Sequence, residues 1–355
     1  MKFLIASIFC FSGAFAQNSE TQNTGVLPAP TVKISAEADF FFELAHMPSS
    51  VKGQSRFDIA LLQISPELLV NENLGLHFRF VLAEERSATE KNYLSELQNG
   101  FVRYVDPRFL GLTHELGLIR LAWIASEKTA GELDFFGDSA KSLLRRYGML
   151  AEGELGYQGR FKQNDHIEWV FGFGNGEENQ DEEQGPNKEA FVGSFYKRND
   201  LLVQLWLSSG RVDDIDTKIN QKNRAILRLQ EKWGRFSMAL EGLYAQDSSL
   251  DLSNQGRFEG ITFTELIEPK EVTTSGGRIE LGYDLSDQQK ALIRFDQITP
   301  ESEKKSIRSL QTAWTKRESI NMIWGVYYER TDFGAQHSSL SRVRELGRLG
   351  LEIAF

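Results

Sequence analysis

From Val32 to the last residue the chain alternates apolar and polar residues over segments of about ten residues, the period of a β-strand, and this alternation limits the fold more than any other feature. Val32, Ile34, Ala36, Ala38, Phe40 and Phe42 share one face of the first segment, with Lys33, Ser35, Glu37 and Asp39 on the other. Leu76, Phe78, Phe80 and Leu82 alternate with His77 and Arg79 in the third. The pattern recurs near 55–65, 97–106, 115–124, 149–161, 166–174, 190–197, 201–209, 223–231, 234–245, 276–284, 289–297, 306–315, 319–329 and 343–355, and is weakest at 190–197 and 306–315. That makes sixteen strands.

The connections alternate as regularly as the strands. Asp106 to Leu112, Gln163 to Asp165, Lys197 to Asp200, Lys232 to Gly234, Leu285 to Gln288 and Lys316 to Glu318 are short and turn-like. Between them fall 45–54, 84–96, 125–147, 175–188, 210–222, 246–274, 298–305 and 331–342. A soluble sandwich has no reason to keep short and long connections in strict alternation, whereas a membrane barrel has short turns on one side and long loops on the other. The expectation is an all-β fold over 32–355: a 16-stranded antiparallel transmembrane β-barrel with short periplasmic turns and long external loops. Aromatic placement agrees with two interfacial belts. Even strands end near Tyr104, Tyr157, Phe161, Tyr196, Trp233, Tyr283, Trp314 and Phe355, and odd strands near Phe42, Trp123, Phe173, Trp206, Tyr244, Phe295 and Tyr328.

The first residues, Met1-Lys2, an apolar run from Phe3 to Phe15 and Ala14-Phe15-Ala16, have the charged start, apolar middle and small-x-small ending of a secretory signal, so 1–16 is expected to be removed after Ala16. The run stops at Gln17-Asn18-Ser19-Glu20, short of the roughly twenty apolar residues that a spanning helix needs. Cys10 is the only cysteine, and Phe9 before it is too bulky for a lipoprotein signal; the mature chain is left without a thiol. Residues 17–31 form a short polar leader. Fifty Asp and Glu against forty Lys and Arg, with no basic run, argue against nucleic acid as a partner.

The chain closes on Arg348-Leu349-Gly350-Leu351-Glu352-Ile353-Ala354-Phe355, and Arg348, Gly350, Ile353 and Phe355 fill the pattern of the terminal insertion signal of outer-membrane barrels, which it resembles. Over essentially its whole mature length the chain resembles the Gram-negative outer-membrane porins. Glu132-Leu133-Asp134-Phe135-Phe136-Gly137-Asp138, Leu143-Leu144-Arg145-Arg146-Tyr147 and Gly174-Asn175-Gly176-Glu177 look loosely like the phosphate-selective porin group. The resemblance implies outer-membrane lipid and lipopolysaccharide around the barrel, the barrel-assembly machinery as the reader of its end, small solutes or ions inside it, and allows a homotrimer. It also implies that the third long connection, 125–147, folds inward and narrows the lumen.

Parity assigns the lumen charges, because apolar residues face lipid and their neighbours face in. Arg56, Arg79, Arg103 and Arg120 fall inward on strands two to five, and Arg344 and Arg348 on the last strand, which a closed barrel pairs with the first. Glu127, Glu132, Asp134 and Asp138 lie in the connection that would face this basic wall. Such an arrangement makes a transverse field across a constriction. Solvated lumen charge balanced by inward Asp58, Glu152, Glu154, Glu280 and Asp296 is the plainer alternative.

Enzymatic readings find little support. His46, His77, His114, His166 and His337 are far apart, with no pair at metal-ligand spacing. Gly137-Asp138-Ser139 and His337-Ser338 lack the neighbours that a lipase or phospholipase needs, and Gly172, Gly174 and Gly176 are followed by no helix to make a phosphate loop. The expectation is a porin for passive diffusion of small hydrophilic solutes or ions, with anion preference at the arginine wall, and without catalytic residues, cofactor or metal. A structural or adhesive barrel and an outer-membrane hydrolase stand as alternatives; a transporter with an N-terminal plug is disfavoured by a leader too short and polar to fill a lumen.

Overall fold

A computed structural model describes residues 30–47, 51–86, 91–109, 111–124, 142–143, 153–175, 188–210, 222–248, 271–300, 306–319, 321–332 and 343–354. The expected signal peptide, most of the leader and Phe355 lie outside these residues.

Sixteen strands follow in order: β1 (Thr31–Met47), β2 (Val51–Leu69), β3 (Leu74–Arg86), β4 (Lys91–Asp106), β5 (Leu112–Ile119), β6 (Glu154–Lys162), β7 (Ile167–Gly174), β8 (Glu189–Arg198), β9 (Leu201–Gly210), β10 (Lys222–Trp233), β11 (Phe236–Ser248), β12 (Glu271–Ser286), β13 (Gln289–Pro300), β14 (Ile307–Ser319), β15 (Met322–Asp332) and β16 (Val343–Ala354). Each pairs antiparallel with the next, and β1 pairs with β16 from Glu37↔Ala354 to His46↔Glu345, so the sheet closes into a barrel. Closure leaves no row of unpaired backbone groups, the condition for a sheet to stand in hydrocarbon.

The face that the alternation makes apolar is the outer one. Leu116 is 61 % exposed and Ile279 50 %, while the inward charges Arg278, Glu280, Arg294 and Asp296 are buried. This inversion of a soluble protein suits lipid outside and polar groups within.

Turn chemistry explains the short end of the barrel. Asn71 Oδ1 accepts from the Asn73 and Leu74 N–H groups at 2.8 and 2.9 Å, Asn164 Oδ1 does the same for His166 and Ile167, and Asp106 Oδ1 accepts from Arg108 N–H at 2.9 Å. The two-residue turns between β8 and β9 and between β10 and β11 use Asn199 at φ 51° and Gly234 at φ 59°, in the left-handed region that hairpin turns favour.

At the other end the strands run further than their alternation. The connections expected over 45–54 and 84–96 shrink to 48–50 and 87–90, because β1 to β4 continue through polar residues such as Gln54, Ser55, Glu84 and Glu85. Outside the bilayer no lipid demands an apolar face, so pairing persists after the pattern has faded. The opposite happens at β5, expected over 115–124, which ends at Ile119.

Two tryptophans expected in the outer belt are elsewhere. Trp123, in a helical turn after β5, and Trp206, on the inward face of β9, are both 0 % exposed inside the barrel. Outward Val203, Leu205 and Leu207 fix Trp206's parity as inward, and Trp123 is carried in by the chain that leaves β5. Phe173, Tyr244, Phe295 and Tyr328 are exposed on the outer face, as are Tyr104, Trp233 and Tyr283 toward the short turns.

Candidate functional site

The lumen is built from every second residue of sixteen strands, and its wall differs from side to side. On β10 the outward residues are Ala225, Leu227 and Leu229, so Lys222, Arg224, Ile226, Arg228 and Gln230 face in. Antiparallel register carries these residues into two rows that run around the wall. One row is Trp206, Ile226, Leu243, Gly276, Ile298 and Ile307. The next, one inward step closer to the short turns, is Gln204, Arg228, Glu241, Arg278, Asp296 and Ser309. A greasy row thus lies directly against a row of alternating charge.

The charged row is tied by buried pairs. Arg278 holds Asp296 with two parallel bonds, Nε to Oδ1 at 2.8 Å and Nη2 to Oδ2 at 3.0 Å, and its Nη1 lies 3.8 Å from Glu241 Oε2. Arg294 Nε donates to Glu280 Oε2 at 2.8 Å, Gln311 Nε2 to Asp296 Oδ2 at 3.4 Å, and Lys222 Nζ lies 3.3 Å from Glu189 Oε2. The two-pronged Arg278–Asp296 geometry compensates burial better than a single contact.

The greasy row is covered by chain that follows β5. Leu121, Ala122, Trp123 and Ile124 are buried and pack with Val170, Phe191, Phe195, Trp206, Ile226 and Leu243, all inward on β7 to β11. Ala122 N–H donates to Gln158 Oε1 of β6 at 2.9 Å, and Trp123 Nε1–H to Ser142 Oγ at 3.2 Å. Leu143, also buried, donates its N–H to Glu241 of β11. Residues 120–124 and 142–143 therefore sit inside the barrel, anchored on β6 and on β11.

Glycines make room where strands of this wall come close. Gly172 faces in on β7, and a Cβ there would lie 2.2 Å from Tyr157 O and 2.4 Å from the Phe191 ring. Gly117 has φ +127°, and a Cβ there would lie 2.6 Å from Gly100 O.

The wall from β1 to β4 is more open. Arg79 Nε donates to Gln63 Oε1 at 2.8 Å, and Gln63 Nε2 to Glu37 Oε2 at 2.6 Å, a chain across β3, β2 and β1. Arg103 Nε lies 4.0 Å from Glu115 Oε1, with its side chain 42 % exposed against 6 % for the glutamate.

No family model matches the chain, and no curated protein matches it in sequence. Solved structures do match its fold. The outer-membrane channel DcaP of Acinetobacter baumannii matches with a TM-score of 0.66 at 8% identity, covering 92% of this chain and 98% of that one. The anion-selective porin of Comamonas acidovorans matches at 0.61 and 10% identity, covering 92% and 100%. The trimer form of OmpT, an outer-membrane protein of Vibrio cholerae, matches at 0.59 and 13% identity, covering 92% and 100%. This chain carries the porin fold.

Within the porin fold the expected site residues are distributed as follows. Arg79 and Arg103 face the lumen on β3 and β4, with Glu37 and Glu115 as inward acids on the same wall. Arg120 is one residue past β5 rather than on it, because the chain has already turned inward; its carbonyl accepts from Gln158 Nε2 at 3.4 Å. Arg348 is half-buried, and its register through Glu43 leads to Arg56 across the seam. The side chains of Arg56 and Arg344, and residues Glu127, Glu132, Asp134 and Asp138, lie outside the described residues. Of the insertion pattern, Gly350 is buried, and Ile353 pairs with Ala38 and Met322.

Inward Lys222, Arg224 and Arg228 of β10 and Arg278 and Arg294 of β12 and β13 were missing from the sequence-based site. The parity rule that gave Arg79 from Phe78 and Phe80 gives the β10 cations equally well from Ala225, Leu227 and Leu229, and Arg278 and Arg294 from Ile279, Ile293 and Phe295. Their burial and pairing could not be anticipated, since both depend on the chain that covers them. The histidines whose side chains are described, His77, His114 and His166, lie apart: His77 stacks on Phe101 at 5.0 Å, His114 Nδ1 bonds Tyr157 OH at 2.9 Å, and His166 Nδ1 contacts Lys197 O at 3.1 Å. Among the described residues no group of three or more His, Cys, Asp and Glu is placed to hold a metal ion.

Proposed function

We propose that the protein is an outer-membrane porin, exported by the 1–16 signal and inserted through its terminal strand, that lets small hydrophilic solutes and ions diffuse through an aqueous path beside the arginine wall. The observation that carries this reading is the asymmetry of the lumen: the chain after β5 packs on the β6–β11 side, while Arg103, on the other, keeps its side chain 42 % exposed. Water is excluded from one wall and admitted to the opposite one, so permeating ions meet Arg79, Arg103 and Arg348, with Arg56 and Arg344 following by parity. Charge focused in a narrow aqueous path acts more strongly on ions than charge on an open surface, which favours anions, with Glu37 and Glu115 moderating the preference. The acidic residues Glu127, Glu132, Asp134 and Asp138 of 125–147 complete a constriction in this reading. Lipopolysaccharide and lipid surround the outer belt, and three copies assemble, as OmpT of Vibrio cholerae does in its trimer form.

The test is planar-bilayer conductance of the purified protein. Open channels are expected, and neutralising Arg79, Arg103 and Arg120 together should move reversal potentials toward cations. A folded protein without conductance would leave a structural barrel, or with hydrolytic turnover an enzyme, in place of the pore.

A further inference from the structure

We propose that the short-turn mouth of the lumen binds a small polyhydroxylated monocarboxylate, an open-chain sugar acid, between the β10–β11, β12–β13 and β14–β15 turns. A cavity of about 390 Å³ lies there, within the range of small-molecule sites. It gathers four cations, Lys232, Arg235, Lys290 and Arg317, and two acids, Asp284 and Asp287. Ile323 is the one apolar side chain among the described residues that line it.

Register brings these groups together. Asp284 stands opposite Lys290, and Lys290 opposite Thr315, on the inward faces of β12, β13 and β14. The turns are tied by their backbones: Asp284 N–H donates to Arg235 O at 2.8 Å, and Arg317 N–H to Gln288 O at 2.8 Å. A Cβ on Gly282 would lie 3.1 Å from Lys290 Cε, so the lysine side chain passes over the bare backbone of Gly282 toward β12. Further up the lumen, Leu292, Ala313 and Tyr327 form a register row and one buried apolar cluster. The buried carboxylates Glu280 and Asp296 lie beyond that row, held by Arg294 and Arg278.

The lining selects the ligand. Lys232 Nζ meets Asp284 Oδ2 at 2.7 Å, which leaves Arg235, Lys290 and Arg317 in the cavity with a single further acid, Asp287. Neither Arg235 nor Lys290 has an ion-pair partner among the described residues. A carboxylate between them gains charge-assisted hydrogen bonds. Asp287, the amides of Gln288 and Gln289 and the Ser286 hydroxyl supply acceptors and donors for hydroxyl groups. A second carboxylate on the ligand would meet Asp284 or Asp287 and be repelled. No aromatic ring lines the cavity among the described residues, so a sugar ring has no face to stack on and an open chain fits better.

Gluconate is the probe, with glucose as its uncharged counterpart and glucarate as its two-carboxylate counterpart. Calorimetric titration of the folded barrel in detergent, at fixed ionic strength, should show saturable gluconate binding about tenfold tighter than either. Arg235→Gln and Lys290→Gln should each weaken gluconate about tenfold, with a retained heat-modifiable band as the check on folding. Lys316→Gln, an outward cation beside Arg317 that is paired with Glu318, should bind as the parent does. The site rests on the porin reading for its supply of solute, but titration is independent of conduction. Binding without current sinks the channel and leaves the site, and current without binding does the reverse. Gluconate bound no better than glucose or glucarate, or bound equally well by Arg235→Gln and Lys290→Gln, overturns the proposal.

Discussion

Phe78 and Arg79 are neighbours in sequence with opposite surroundings: Phe78 lies on the exposed outer face, and Arg79 faces in and donates to Gln63 at 2.8 Å. Phe78→Arg places a cation in hydrocarbon, at a cost of about 2–4 kcal/mol near the midplane. Arg79→Ser leaves its side chain in a polar lumen and should assemble normally. Urea unfolding of both variants in liposomes would check the assignment, and reversed outcomes would move the parity by one residue. Gly117 makes a second prediction at this scale. Its φ of +127° and the 2.6 Å approach of a Cβ to Gly100 O mean that Gly117→Ala strains the backbone and pushes β4 from β5. The expected loss is on the order of 1–3 kcal/mol, read from the same unfolding midpoint.

Among the elements, the chain between β5 and β6 is the one whose position decides the shape of the lumen. Leu143 is buried in the apolar cluster, and its N–H is held by Glu241. Leu143→Asp would bring a second carboxylate beside Glu241 and remove the apolar contact, so the segment should leave the wall and single-channel conductance should change, with heat-modifiability on gels retained. Unchanged conductance in the variant would place the constriction elsewhere. The pair between β12 and β13 makes a separate prediction. Asp296→Asn removes the two-pronged partner of buried Arg278 and leaves it only the longer contact with Glu241, for a cost of up to about 3–5 kcal/mol, whereas the double change with Arg278→Met should recover part of it. Unfolding of the single and double variants separates the value of the pair from the penalty of an incompletely compensated charge.

For the whole molecule, stability lies in closure. The seam pairs β1 with β16 from Glu37↔Ala354 to His46↔Glu345, so the last residues of the chain complete the barrel. Deleting Phe355 should impair assembly in cells, seen as loss of the heat-modifiable folded band. Normal assembly would show that the terminal pattern of Arg348, Gly350, Ile353 and Phe355 carries no insertion signal here. The barrel without its seam would expose two strand edges to lipid, which no partner in the membrane satisfies.

What the sequence determined by itself was the barrel: the period of two, the alternation of turn and loop, and the side of the sheet on which each residue falls, because lipid allows only apolar groups on one face. Parity could be read wherever an apolar neighbour faced lipid, which is why Arg79 and Arg103 were legible and Arg228 and Arg278 were within the same rule. Strand ends were not legible at the loop side, where Gln54 or Glu84 pair without an apolar face to mark them. Trp123 and Trp206 could be read from sequence as belt residues because an aromatic at a strand end looks the same whether it meets lipid or lumen. Only the tertiary structure decided that they meet each other's neighbours inside, since that depends on where the chain after β5 goes, and its anchors, Gln158 and Glu241, lie on β6 and β11. The same covering decided which charges are buried and paired and which stand open on the arginine wall, because burial is a property of what lies over a residue and not of the strand that carries it.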